Sequence, residues 1–134
     1  MQFRIPKNSD KYFWTLHAIE KMRFYGLSEQ KVLGVIRRPK RKEEGIVKNT
    51  IAVMQPISPK TGKDGKTIWK TEIWVMYQIK KNKNSKNLSE LQRLLFKEKI
   101  KIISAWRYPG VSPEKNPIPE DILREIEEGD LEME

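Results

Sequence analysis

Residues 67–79, TIWKTEIWVMYQI, alternate residue by residue, a period of two that a strand can bury on one side and a helix cannot. Trp69, Ile73, Val75, Tyr77 and Ile79 fall on one face; Lys70, Glu72, Trp74, Met76 and Gln78 fall on the other. The pattern predicts a long antiparallel strand with one face on a core, and such a strand needs partners. Residues 50–57, TIAVMQPI, read as a second strand, joined to the first by turn chemistry at 58–66, SPKTGKDGK. Residues 99–107, KIKIISAWR, read as the last strand, ended by Pro109 and Gly110. A polar loop at 80–87 and a short helix from Leu88 to Phe96, capped at Asn87, are predicted before it.

Two helices are expected ahead of the strands, after an extended start at Phe3, Ile5 and Pro6. Thr15 is a good N-cap, because its hydroxyl can accept from an otherwise unpaired backbone N–H. Leu16, Ile19 and Met22, with Ala18 and Tyr25 beside them, then make an apolar face, and Gly26 suits the left-handed residue that closes a helix. Ser28 caps a second helix through about Arg37, with Val32, Leu33, Val35 and Ile36 as its buried side, until Pro39 stops it. Pro119 opens a final helix whose stripe is Ile122, Leu123 and Ile126. Two helices, three antiparallel strands and a helix make an α+β chain, and 134 residues suffice for one modest core.

Charge divides the chain near the start of that last helix. Residues 120–134 carry a net −7 and the first 119 carry +16, within a total of +9. The expected organisation is a basic α+β domain over residues 1–118 and an acidic helix or tail over 119–134. An acidic terminus is ordinarily a solvated tail; the alternative is that it folds back over a basic groove and screens it. The basic excess favours phosphate backbones or anionic lipid. Lipid is the weaker reading, since no stretch approaches the roughly 18 apolar residues of a membrane span. The N-terminal segment also lacks a signal peptide's apolar run and the Gly needed for myristoylation. Cysteine is absent, which excludes disulfides and thiolate metal sites and is compatible with the expected cytoplasmic location.

Two cation clusters are candidates for phosphate contact: Arg37, Arg38, Lys40, Arg41 and Lys42, and then Lys80, Lys81 and Lys83 with Lys86. The plainer reading is solubility, and Arg37 and Arg38 also complement a helix C-terminus. Trp74, and the pair Trp106 and Tyr108, are candidates for stacking on single-stranded bases. Against this, a Trp on a strand usually packs beneath a helix, and the C-terminal helix is an obvious cover. The run GKDGKT ends like a phosphate-binding loop, but the motif needs Gly at position 60, where Lys60 stands. His17 is the sole histidine, so a metal site would need mostly carboxylates, and these cluster in the tail at the spacing of a solvated helix face; no metal is expected, and no cofactor.

Residues 15–22, TLHAIEKM, resemble a group of small bacterial and phage domains with a T-x-H-A-x-x-[RK]-M helix, a G-[LI]-S turn and a second helix ending near Pro. Here the matching residues are Thr15, His17, Ala18, Lys21, Met22, Gly26, Leu27, Ser28 and Pro39. Residues 101–107, KIISAWR, are similar to the closing strand of those domains and of RelE/ParE-type (BrnT-like) toxins. The resemblance covers roughly residues 12–40 and 99–108. It implies a RelE- or barnase-like fold, with two N-terminal helices packed on an antiparallel sheet of about four strands and a C-terminal helix. It also implies a metal-independent endoribonuclease acting on RNA, in some relatives ribosome-associated and often restrained by an antitoxin. Position 21 is Lys where Arg is common, the loops at 58–66 and 80–98 look like insertions, and the acidic tail is extra.

Metal-free RNA cleavage needs a base for the 2′-hydroxyl, an acid for the leaving 5′-oxygen, and cations around the phosphate. His17 suits base or acid, Lys21 lies four residues on along the same helix face, and Arg107 offers a planar fork for phosphate. Arg37 is a weaker candidate for that clamp. Two other classes stay open: a non-catalytic nucleic-acid-binding module, and a partner-binding protein that uses its acidic C-terminal helix.

Overall fold

In the computed structural model, which describes residues 3–80 and 99–128, the alternating segment divides in two. Along the chain run β1 (Tyr12–Trp14), α1 (Leu16–Tyr25), α2 (Glu29–Arg37), β2 (Arg41–Glu44) and β3 (Ile51–Pro56). There follow β4 (Lys60–Thr61), β5 (Thr67–Ile68), β6 (Thr71–Lys80), β7 (Lys99–Pro109) and α3 (Glu120–Glu128). The start of the alternating run thus forms a two-stranded ribbon with β4, and only residues from Thr71 onward enter the main sheet. The ribbon turns at Gly65, whose φ of 80° suits glycine, and the Asp64 carboxylate accepts from the Lys66 amide at 3.0 Å. The helix predicted at 88–96 lies outside the described residues.

The main sheet has five strands in the order β1-β7-β6-β3-β2, antiparallel except where β1 runs parallel to β7. Neither β1 nor β2 was expected from the sequence. Three residues, Tyr12 to Trp14, are too few to show a period. β2 is written RKEE, inside the cationic run, because an edge strand can carry charge on the side without a neighbour.

Both helix starts and the first helix stop follow the caps. Thr15 Oγ1 accepts from the Ala18 amide at 3.0 Å, Ser28 Oγ accepts from the Lys31 amide at 3.1 Å, and Gly26 is left-handed. Thr15 also donates to the carbonyls of Ile102 and Ile103, so the cap that starts α1 ties it to β7.

The expectation of a sheet with one buried face is corrected. Ile73, Val75 and Tyr77 pack with Trp14, Met22, Val32 and Val35 beneath α1 and α2. Glu72, Trp74 and Met76, on the side read as polar, are also fully buried. There Trp74 stacks on Trp106 at 6.1 Å and 7° between planes, under Ile118, Ile122 and Ile126. Alternation along β7 serves both layers, Ile102 joining the first core and the adjacent Ile103 the second, with a bulge in the register opposite Met76 and Tyr77. Residues 120–128 are accordingly part of a core rather than a solvated tail. Burying Ile122 and Ile126 stabilises the docked helix by roughly 1.5–3 kcal/mol each.

Candidate active site

β1 pairs with β7 only over Ile100–Ile102, and past that point α1 runs along the outer edge of β7. His17 leans over this edge, with Nε2 2.9 Å from Ser104 Oγ. Its Nδ1 faces Glu125 of α3, 3.7 Å away. One turn further along α1, Lys21 Nζ donates to Glu125 Oε1 at 2.9 Å and lies 2.7 Å from Oε2. A turn beyond that stands Tyr25, whose phenol feels the charges of Asp121, Lys21 and Glu125. His17, Lys21 and Tyr25, each four residues apart, therefore form one stripe of α1. It faces Asp121 and Glu125, also four apart on α3, across a seam.

The protonation states follow from burial. Burial pulls His17 below its usual range, with Lys21 adding to the effect and Glu125 and Glu20 opposing it, so the ring is neutral at neutral pH. A neutral ring fits this setting when Nε2–H donates to Ser104 Oγ, which leaves the unprotonated Nδ1 facing the seam. Burial, with help from Asp121, pushes the Tyr25 phenol up, so it keeps its proton. Because folding lowers the His17 pKa, the unfolded chain binds the extra proton first on acidification. The stability held by neutral His17 is therefore full above about 6.5 and declines as pH falls through the lower folded value. His17→Gln should flatten this part of the melting-temperature profile between pH 7 and 5, and an unchanged slope would contradict it.

Ser104, His17 and Glu125 line up as a serine–histidine–carboxylate series, but they do not make a hydrolase triad. Ser104 is fully buried, so no acyl group reaches its oxygen, and 3.7 Å from Nδ1 to the carboxylate is too long for a hydrogen bond. Ser104 acts instead as a positioning residue that turns Nδ1 toward the seam. Among the described residues, no group of three or more His, Cys, Asp or Glu side chains is placed to hold a metal ion.

The other expected site residues are dispersed. Arg107 lies on the α1–α2 face and its Nε donates to the Tyr25 carbonyl at 2.7 Å, closing the end of α1. Arg37, Arg38 and Lys40 are exposed, and among the described residues none of them forms an ion pair. The end of α2 sits over the same sheet row as Arg107, since Gln55 donates to the Arg38 carbonyl and both Gln55 and Arg107 pair with Ile73. Lys80 is exposed at the far end of β6, seven residues on or roughly 23 Å along the strand. Lys81 and Lys83 lie outside the described residues. The described member of the second cluster, Lys80, thus stands toward the opposite end of the sheet from Arg37, Arg38 and Lys40. Lys42 pairs at the surface with Glu44 at 3.2 Å.

Three expectations are corrected. Trp74 is wholly buried and offers no face to a base. Trp106 is buried as well, with its Nε1 donating to the Pro117 carbonyl, and Tyr108 is half-buried against the same core. Arg41 is spent on the fold. It donates from Nη1 to the Ser112 carbonyl and hydroxyl at 2.8 and 2.9 Å and from Nη2 to the Pro113 carbonyl at 3.2 Å. Its guanidinium carbon lies 5.1 Å from the centre of the Trp74 ring.

Beneath Arg41 is a carboxylate that no sequence pattern marks out. Glu72, with no exposed surface, accepts from the indoles of Trp69 and Trp74 at 2.9 Å each, and from the amide and hydroxyl of Ser112. Tyr25 and Glu125 were likewise missed as site residues. The signal for Tyr25 was its spacing from His17 and Lys21; none existed for Glu125, which is 104 residues from Lys21. Comparison with family models, curated proteins and solved structures finds no match for the chain.

Proposed function

We propose that this protein binds RNA along the seam between α1 and α3 and cleaves it without a metal, as the toxin-type resemblance suggests. The observation that carries the reading is the single stripe of His17, Lys21 and Tyr25, a neutral imidazole, a cation and a protonated phenol, set in a chain whose first 119 residues carry +16. His17 takes the 2′-hydroxyl proton, the 2′-oxygen attacks phosphorus, and the 5′-oxygen leaves with the Tyr25 proton. Lys21 holds the non-bridging oxygens as charge builds on them. Two helices packed over the β3-β6-β7 antiparallel core fit the RelE- or barnase-like arrangement. An antitoxin protein is a partner on that resemblance alone.

Purified protein incubated with labelled RNA in excess chelator should yield fragments with 2′,3′-cyclic phosphate ends. Intact RNA that is nonetheless bound in a salt-dependent way would sink the cleavage step. That outcome is the second reading, a non-catalytic RNA-binding module. It is favoured by the commitment of both expected phosphate ligands, Lys21 to Glu125 and Arg107 to the Tyr25 carbonyl.

A further inference from the structure

We infer that Phe24 is the platform on which a base of single-stranded RNA stacks, beside the phosphate held at Lys21. The inference rests on the RNA-binding reading above and names the ligand feature that the same surface selects.

Phe24 is 76% exposed, and among the described residues the other aromatic rings are buried or half-buried. The other exposed large apolar residues, Ile5, Leu16, Ile68, Ile79 and Val111, are aliphatic and lie on separate elements apart from Leu16. A single exposed ring is ordinary on a protein surface; what singles out Phe24 is its place beside the cations of α1. Its surroundings say which ligand. Lys21 Nζ lies over the ring, 5.7 Å from its centre, and Arg23, the residue before Phe24, is exposed. The Tyr25 ring stands nearly perpendicular to Phe24, at 4.9 Å between centres and 85° between planes.

An apolar protein surface would bring its carbon to this ring but would leave the exposed Arg23 without counter-charge, while Lys21 stayed with Glu125. A nucleotide matches both features, with a flat base for the ring and a phosphate for the cations. Single-strand binders are built this way, with cations that track the backbone and rings on which successive bases stack. A duplex keeps its bases stacked on one another and has none to offer. The surface therefore distinguishes single-stranded from paired RNA, which the basic clusters alone do not.

The test measures binding of oligouridine and of a fully paired RNA duplex by the whole protein, by Phe24→Ala and by Phe24→Trp at one salt concentration. Phe24→Ala should weaken oligouridine binding about 5- to 100-fold, the range found for loss of one stacking ring. It should leave duplex binding within about twofold, and Phe24→Trp should restore the single-strand affinity. Unchanged oligouridine binding in Phe24→Ala, or an equal loss on both RNAs, overturns the inference while leaving the RNA reading intact. Self-association that Phe24→Ala abolishes without touching RNA affinity marks a protein–protein surface, and also overturns it. If the unsubstituted protein binds neither RNA, the RNA reading itself falls.

Discussion

Glu72→Gln should lower the melting temperature by roughly 10 °C, measured by circular dichroism at pH 7. The carboxylate gathers four donors in a site closed to water, two indoles together with the Ser112 amide and hydroxyl. An amide of the same shape turns one acceptor oxygen into a donor group and sets it against donors. Losing charge-assisted hydrogen bonds and stranding a buried N–H costs about 3 kcal/mol, and a chain of this size loses roughly 3–4 °C per kcal/mol. A change of less than about 2 °C would show that the network contributes little net stability. The difference should also depend on pH. Burial pushes Glu72 up, yet the donors of Ser112, Trp74 and Trp69 together outweigh it and hold the carboxyl below its ordinary value. Its contribution is therefore full above about 4.5 and is lost as pH falls through the lower folded value, where the two proteins should converge.

Substitutions on the two sides of the α1–α3 seam should act in opposite directions. His17→Ala should reduce RNA cleavage by about 10²–10⁴-fold, the range for loss of a general base, with RNA affinity within about twofold of the parent. Glu125→Gln should raise RNA affinity about fivefold at low salt. It frees Lys21 from a half-exposed ion pair worth no more than about 1 kcal/mol, and the gain should fade as salt screens both states. The substitution is confined to a side chain for a reason. Ile122 and Ile126 hold α3 on the second core, so deleting the helix would expose Trp74 and Trp106 and test stability instead. A Glu125→Gln protein that binds RNA no more tightly than the parent would mean that the carboxylate does not compete with phosphate.

Local chemistry was readable in the sequence and long-range placement was not. Thr15, Gly26, Ser28 and Pro39 fix helix ends through their own dihedrals and hydrogen bonds, so α1 and α2 could be bounded from nearby residues alone. The second buried face depended on whether a distant element covered Trp74 and Met76. Alternation cannot report that, although the apolar members of the nominally polar face hinted at it. The site was half legible. His17 and Lys21 stood out by type and spacing, whereas the carboxylates opposite them come from an element about 100 residues away. Arg107 and Arg41 looked like phosphate ligands because sequence shows a guanidinium but not the backbone carbonyls that occupy it.

The attachment of α1 to β7 has a consequence for how the chain assembles. Thr15 and His17 make their defining contacts with Ile102, Ile103 and Ser104, nearly 90 residues later. Contacts of such long sequence separation form slowly, and during synthesis they must await the emergence of the distant strand. The first helix can wind early, but its His17–Lys21–Tyr25 stripe has no floor until β7 has left the ribosome, and no opposing carboxylate until α3 follows. A nascent chain therefore carries His17 unaligned until residues 99–128 have been made, and the seam gains its floor and its facing carboxylates within that one stretch.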